Sequence, residues 1–204
     1  MEELDRRAVE WFSSLHWPVV TPVMKGLTYA GAGGTIWIVI ALLVAFRRRR
    51  PLVLVAMVAM IIVASRIDAI LKDAIGRARP FVGDPSVHPS IALPHDPSMP
   101  SGHAMNAFAG AVLLGSIVPS ARWWLLGLAC AIALSRVYLG VHFPSDVLAG
   151  AALGAAIGAA VAWLLPRAED VVSRRGSSWS SAGDSPHERR PSPGGGRDET
   201  SGGA

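Results

Sequence analysis

The chain has 204 residues, of which 51% are hydrophobic and 17% are charged, and its formal net charge is +4. Soluble domains usually carry about 25% charged residues, so this composition excludes a chain that is disordered throughout and is atypical of a soluble domain. The single cysteine, Cys130, excludes an intrachain disulfide framework and a zinc site built from several cysteines.

The N-terminal segment 4–17 alternates charged and apolar residues at roughly helical spacing. This pattern predicts a helix that lies in the membrane interface. One face can be formed by Trp11, Phe12, Leu15 and Trp17. Residues 1–10 carry charges of both signs and no short apolar run follows them directly, so we expect no cleavable signal peptide.

Helix-breaking residues come next. Pro18 and Pro22 are expected to end the helical pattern, and the glycine-rich stretch 29–34 predicts a flexible approach to the first span. We assign residues 1–33 to the interfacial helix and the segment that leads into the membrane.

Long charge-free runs make up most of the remaining sequence. A membrane-spanning helix needs about 20 largely apolar residues. Uncharged runs of 13 to 21 residues cover 26–46, 51–65, 104–121, 123–135 and 147–166. The second run can extend to Leu71 if Arg66 and Asp68 face protein or water. The sequence predicts an all-α polytopic membrane bundle of five or six transmembrane helices, with residues 34–166 as its transmembrane domain. A large soluble helical core is the less favoured alternative.

The arginines predict the orientation of the bundle. Cytoplasmic loops carry an excess of Lys and Arg, which places Arg47–Arg50 inside. The segments 72–100 and 136–146 then share the extracytoplasmic side, and the chain after the last span is cytoplasmic. Five spans place the N-terminus outside, and six place it inside.

The composition changes after Pro166. In residues 167–204, 18 of 38 positions are Gly, Ser or Pro, and six Arg balance six Asp and Glu. Such a segment cannot bury a core, so we predict a disordered cytoplasmic tail after a turn or two of helix. The net charge of +4 therefore belongs to the membrane part, and a basic outer face favours an anionic ligand.

The first polar element on the outer side contains Lys72 and Arg79-Pro80. The two cations are seven residues apart, which predicts that they share one face of a helix. Taken alone, such a pair is more typical of an interfacial anchor.

The second element, Pro100-Ser101-Gly102-His103, opens a charge-free helix. Ser101 is a favourable N-cap, and Gly102 allows a ligand to approach the backbone. The free N–H groups of a first helical turn bind anions.

The third element contains Ser135-Arg136, His142 and Asp146, with a helix start predicted near Pro144. Because His142 and Asp146 are four residues apart, the carboxylate can accept a hydrogen bond from one imidazole nitrogen and leave the other basic. A histidine nucleophile or base needs this arrangement.

Together the three elements resemble the tripartite signature of the type-2 phosphatidic acid phosphatase superfamily. The resemblance covers residues 72–146 and matches at every signature position. It implies an all-helical membrane bundle with a metal-independent phosphatase site at its outer face.

The resemblance also implies a role for each residue. His142 is the expected nucleophile, Asp146 orients it, and His103 is the general acid and base. The phosphoryl oxygens are expected to be held by Lys72, Arg79, Arg136, Ser101 and Gly102. Positioning and cations contribute most to phosphoryl transfer, so three fixed cations need no divalent metal. Four other aspartates look scattered and without a placed role: Asp68, Asp73, Asp84 and Asp96.

The expected partners are membrane lipids and a lipid phosphate or diphosphate substrate, with no cofactor and no nucleic acid. Undecaprenyl diphosphate is the first candidate substrate, by analogy with short bacterial members of the family. Phosphatidic acid, phosphatidylglycerophosphate and a phosphorylated prenyl-sugar lipid are alternatives. A non-catalytic lipid-binding scaffold is another, although loss of His103 or His142 would be its expected mark. The spacing Gly150-x3-Gly154-x3-Gly158 favours helix packing within the bundle over a dimer interface, and the oligomeric state stays open.

Overall fold

A computed structural model describes residues 2–15, 17–84 and 87–182, and over these residues the chain is helical without a strand. The predicted all-α fold is therefore confirmed. The helices are α1 Glu2–Ser14, α2 Val20–Gly31, α3 Thr35–Arg48, α4 Leu52–Ile75, α5 Pro80–Gly83, α6 Gly102–Ile117, α7 Arg122–Tyr138 and α8 Pro144–Ala182.

Three stretches in the described part of the chain are long and apolar enough to cross a membrane. They are Val20–Arg48, Leu52–Gly83 and Pro144–Val171, and Gly102–Ile117 is a shorter apolar helix. Helix α4 runs unbroken through Arg66 and Asp68, as the extension of the second charge-free run predicts. The number of spans, five or six, stays a prediction.

The beginning of the first long span differs from the prediction at Pro22. This proline lies within α2, in its first turn, instead of ending a helix. The N–H groups of a first helical turn have no partner in the helix, so proline costs little there. The predicted flexible approach corresponds to a single 3-10 turn, where Gly33 and Gly34 have φ of 57° and 74° and separate α2 from α3.

A glycine stripe brings α8 close to α6. Side chains added at Gly150, Gly154 and Gly158 would meet backbone atoms of residues 101, 105 and 109 at 2.4, 2.1 and 2.5 Å. The spacing of these glycines therefore serves packing within the bundle, as predicted. Because this contact aligns the beginnings of α6 and α8, it positions the residues that each helix start carries.

The charged loops at the other end of the bundle also meet. Arg50 Nε donates to Glu169 Oε1 at 2.9 Å, which joins the loop after α3 to the chain beyond Pro166. These two segments therefore share one end of the bundle, as the distribution of arginines predicts. Helix α8 continues to Ala182, so the helix beyond Pro166 is longer than the predicted turn or two. Residues 183–204 lie outside the described residues.

Candidate active site

Lys72 and Arg79 reach the site from different elements. Lys72 lies in the last turn of α4, whereas Arg79 has extended backbone and directly precedes α5. Helix α4 ends at Ile75, and the next residue, Gly76, caps it with a φ of 65°, a conformation that glycine adopts readily. The prediction that both cations share one helix face is therefore wrong, because the chain leaves the helix between them.

Asp96 brings these two cations together. Its Oδ2 accepts a hydrogen bond from Lys72 Nζ at 2.5 Å, and its Oδ1 accepts one from Arg79 Nη2 at 2.9 Å. Burial raises the pKa of Asp96, but the hydrogen bond and charge of Lys72 and the charge of Arg79 outweigh burial and lower it to about 2. Asp96 is therefore ionised at neutral pH, and it pairs with two of the three cations that are expected to hold phosphate.

Arg136 is buried in the last turn of α7. Its Nη1 donates to the hydroxyl of Thr28 on α2 at 2.9 Å, and the same hydroxyl lies 2.9 Å from that of Ser135. Helix α2 thus fixes both residues of the Ser135-Arg136 pair. Arg136 lines a cavity of about 280 Å³ together with Lys72, Arg79, His103 and His142.

His142 is buried between an aspartate and an arginine, directly before α8. Its Nδ1 lies 3.6 Å from Asp146 Oδ2, and its Nε2 lies 3.3 Å from Arg79 Nη1. Since arginine can only donate, Nε2 is the acceptor, and the ring proton belongs on Nδ1, facing Asp146.

Burial and the charges of Arg79 and Arg136 lower the pKa of His142 to about 4, although Asp146 acts in the opposite direction. At neutral pH the imidazole of His142 is therefore uncharged, and its Nε2 lone pair is available to a substrate that displaces Arg79. A nucleophilic histidine requires this protonation state.

Asp146 is held on both carboxylate oxygens. Its Oδ2 accepts hydrogen bonds from Ser98 Oγ at 2.5 Å and from the Phe143 N–H at 2.9 Å. Its Oδ1 accepts one from Arg77 Nη1 at 2.6 Å. The aspartate is fully buried, so these donors fix the plane of the carboxylate that faces His142.

The beginning of α6 lies beside these groups. Ser101 is the N-cap residue, but its hydroxyl is buried without a hydrogen-bond partner among the described residues. The predicted side-chain cap is therefore wrong, and the Ser101 N–H instead donates to the Asp146 carbonyl at 3.0 Å. A side chain at Gly102 would meet Asp68 Oδ2 at 2.7 Å, so this glycine makes room for Asp68. His103 is half-buried and lines the cavity.

Two aspartates that line the cavity were missed by the sequence analysis, which gave no role to Asp68 or Asp96. Asp68 lies 3.1 Å from Lys72 Nζ, and the four-residue spacing of this pair on α4 was a signal that could have found it. Asp96 lies in an irregular segment 24 residues beyond Lys72, where no periodic pattern announces a contact. Within the described ranges, His, Cys, Asp and Glu side chains nowhere gather in threes that could hold a metal ion.

Replacing Asp96 with asparagine is expected to strengthen binding of orthovanadate, a phosphate analogue, about tenfold, which corresponds to roughly 1.4 kcal/mol. The carboxylate competes for Lys72 and Arg79, and the amide carries no charge. Inhibition constants for phosphate release measure the effect. The matched control is Asp73→Asn, one residue beyond Lys72 but exposed. Unchanged or weaker vanadate binding in Asp96→Asn would contradict this expectation.

The chain is similar to known proteins in both sequence and structure. The model of a family described as the PAP2 superfamily matches residues 53–170. An undecaprenyl-diphosphatase of Sulfolobus acidocaldarius is 40% identical over 126 residues, covering 58% of this chain and 58% of that protein. A decaprenylphosphoryl-5-phosphoribose phosphatase of Mycobacterium tuberculosis is 38% identical over 146 residues, covering 71% of this chain and 80% of that protein.

A solved structure is similar as well. The crystal structure of a transmembrane PAP2 type phosphatidylglycerolphosphate phosphatase from Bacillus subtilis superposes with a TM-score of 0.66 and 28% sequence identity. The match covers 78% of this chain and 83% of that one. The similarity therefore extends over most of the helical bundle.

Proposed function

Because this chain belongs to the PAP2 superfamily, we propose that it is a membrane lipid phosphatase that works through a phosphohistidine on His142. The observation that carries the proposal is the convergence of three cations and two histidines, from five separate segments, on one cavity. The oriented imidazole of His142, with Nδ1 toward Asp146 and Nε2 toward Arg79, gives that cavity a nucleophile.

In the first step of the proposed reaction, Nε2 of His142 attacks phosphorus. The new N–P bond forms as the P–O bond to the lipid breaks. Burial and the charge of Arg136 lower the pKa of His103 to about 3, so His103 takes up its proton together with the anionic substrate and then gives it to the leaving oxygen. Lys72, Arg79 and Arg136 hold the equatorial oxygens, where charge concentrates in the transition state. Asp146 stabilises the proton that Nδ1 retains.

In the second step, His103 acts as the base. It takes a proton from a water molecule as the water oxygen attacks phosphorus from the side that the lipid has left. The N–P bond breaks, phosphate departs, and His142 returns to its neutral form. Each histidine ends the cycle in the protonation state in which it began.

The first candidate substrate is undecaprenyl diphosphate, converted to undecaprenyl phosphate. The Sulfolobus relative named undecaprenyl-diphosphatase supports it, as does a site on a membrane bundle, which suits a phosphate carried by a lipid. Phosphatidic acid and phosphatidylglycerophosphate are the glycerolipid alternatives, the latter named for the Bacillus subtilis structure. We place the site at the extracytoplasmic face, residues 34–166 in the catalytic domain and the tail in the cytoplasm.

A phosphorylated prenyl-sugar lipid is the second candidate, favoured by the polar wall of the cavity. Asp68 Oδ1 and Asn106 Oδ1 line it, are buried, and lack hydrogen-bond partners among the described residues. Asn106 lies three residues beyond His103 on α6, so it flanks the leaving group in this proposal. Sugar hydroxyls can donate to both oxygens, whereas a second phosphate would be repelled by Asp68. The longer alignment, to the phosphoribose phosphatase, points the same way.

The test is phosphate release by detergent-purified protein from four lipids compared at equal concentration. The lipids are undecaprenyl diphosphate, decaprenylphosphoryl-5-phosphoribose, phosphatidic acid and phosphatidylglycerophosphate. The highest kcat/KM for the diphosphate supports the first candidate, and the highest value for the phosphoribose lipid supports the second. Folded protein that binds these lipids but releases phosphate from none would instead favour the non-catalytic scaffold.

A further inference from the structure

Asp5 is a charged residue of α1 that is nevertheless buried. Its side chain is 7% exposed, whereas the nearby Glu3 and Arg6 are 57% and 60% exposed and pair with each other. Burial raises the pKa of Asp5, but hydrogen bonds from Arg77 and Ser145 outweigh burial and hold it below its usual value. Asp5 is therefore an ionised group directed into the protein.

The partners of Asp5 belong to the active-site end of the bundle. Its Oδ1 accepts a hydrogen bond from the Ser145 N–H at 3.1 Å, and its Oδ2 accepts one from the Ser145 hydroxyl at 2.5 Å. The N–H of Ser145 is in the first turn of α8, where backbone donors lack helical partners and a carboxylate is favourable. Asp5 thus caps the helix that carries Asp146, and it does so from a different element.

Arg77 completes the connection. Its Nη2 donates to Asp5 Oδ2 at 2.8 Å, while its Nη1 donates to Asp146 Oδ1 at 2.6 Å and to the Ser145 hydroxyl at 2.6 Å. The guanidinium carbon also lies 4.3 Å from the centre of the Phe143 ring, and this cation–π contact helps to fix the position of the guanidinium group. One guanidinium therefore bridges a carboxylate of α1 and the carboxylate that faces His142.

We propose that α1 is a working part of the active site, in which Asp5 and Arg77 are positioning residues that hold Asp146 in line with His142. The family match begins at residue 53, so Asp5 lies outside the region on which the family assignment depends. Because the role concerns His142 chemistry, the proposal rests on the proposed function.

Charge explains why a bridge is needed here. Asp5 and Asp146 are buried carboxylates that share a single cation and the Ser145 hydroxyl. Without Arg77 their like charges oppose each other, and Asp146 Oδ1 loses its only side-chain donor given by the structure. The carboxylate can then rotate away from Nδ1 of His142, and reacting groups misplaced by about 1 Å lose about 100-fold in rate.

The test compares Arg77→Gln, Asp5→Asn and the double variant in the full chain. We expect kcat to fall about 100-fold in Arg77→Gln and about tenfold in Asp5→Asn, with KM within about twofold of wild type. The double variant should lose no more than Arg77→Gln, because both changes break one bridge. Arg77→Lys should recover only part of kcat, since an ammonium lacks the planar fork that reaches both carboxylates.

Matched controls are Arg6→Gln and Glu3→Gln, which alter exposed charges of the same helix and should leave kcat within about twofold. Wild-type kcat in both Arg77→Gln and Asp5→Asn, or losses confined to KM, would overturn the proposal. If Arg77→Gln fails to fold, the kcat of Asp5→Asn alone still tests the positioning role, because this variant removes the carboxylate charge of Asp5 and keeps the guanidinium of Arg77.

A second readout needs no turnover. Nitrogen-15 chemical shifts of His142 in detergent report which ring nitrogen carries the proton. We expect the Nδ1–H form in wild type and in Arg6→Gln, and a mixture of tautomers in Arg77→Gln. Identical spectra in all three would overturn the positioning role. If the wild-type protein releases no phosphate but the tautomers still differ between wild type and Arg77→Gln, the proposed function fails while the bridge stands.

Discussion

Replacing His142 with glutamine is expected to lower the rate of phosphate release by a factor of about 10⁴ or more, because the active site then has no nucleophile to attack phosphorus. Glutamine nearly fills the space of the imidazole and can still accept a hydrogen bond from Arg79, so the bundle should fold. Phosphate release from the preferred lipid measures the loss, and circular dichroism in detergent checks the fold. The control is His88→Gln, in an exposed position of the segment before α6.

Comparing His142→Gln with His103→Gln on two substrates distinguishes the nucleophile from the general acid. A substrate with a good leaving group, such as p-nitrophenyl phosphate, does not need protonation of the leaving oxygen. His103→Gln should therefore lose much less activity on this substrate than on an alkyl phosphate. His142→Gln should lose activity on the two substrates to the same extent. An acid-labile phosphoenzyme should form in wild type and be absent from His142→Gln. Equal losses in the two variants on both substrates, or a phosphoenzyme in His142→Gln, would contradict the assigned roles.

Local spacing predicted the parts of the site that depend on one helix turn. His142 and Asp146 lie four residues apart around a helix start at Pro144, and the structure brings them together. Spacing failed between Lys72 and Arg79, because Gly76 ends the helix and two turns of regular geometry do not exist there. The cations still converge, but through Asp96, a contact that no local pattern encodes.

Hydrophobic runs predicted which segments form helices better than they predicted where those helices begin and end. The length of a charge-free run reports where the membrane can be crossed, and α6 and α7 follow their runs closely. A run says nothing about polar helices beyond it, so the full extent of α8 past Pro166, well beyond the predicted turn or two, was not foreseen. The burial of Asp5 was equally hidden, since an amphipathic pattern shows which residues share a face and not which face meets another helix.

The contact between α6 and α8 joins the two halves of the proposed site. The first half, with Ser101 and His103, begins α6, and the second, with His142 and Asp146, begins α8. The Ser101 N–H bonds directly to the Asp146 carbonyl. The distance between the two histidines therefore depends on how closely these helices approach, and glycines set that approach.

Replacing Gly154 with alanine is accordingly expected to destabilise the bundle by about 1–3 kcal/mol or more and to lower kcat about 100-fold. The new methyl group would lie 2.1 Å from the Met105 carbonyl oxygen and within 3 Å of two further backbone atoms of the same residue. A backbone cannot yield as a flexible side chain does, so α8 must move away from α6. Thermal unfolding in detergent and phosphate release measure the two effects.

The matched control is Gly127→Ala on α7, where an added methyl group meets nothing within 4 Å. It makes the same chemical change in a helix, and the better helix propensity of alanine should leave stability equal or raise it by up to about 1 kcal/mol. A larger residue, in Gly154→Leu, should prevent accumulation of folded protein. If Gly154→Ala matched Gly127→Ala in both stability and kcat, the close approach of α6 and α8 would not be what aligns the two histidines.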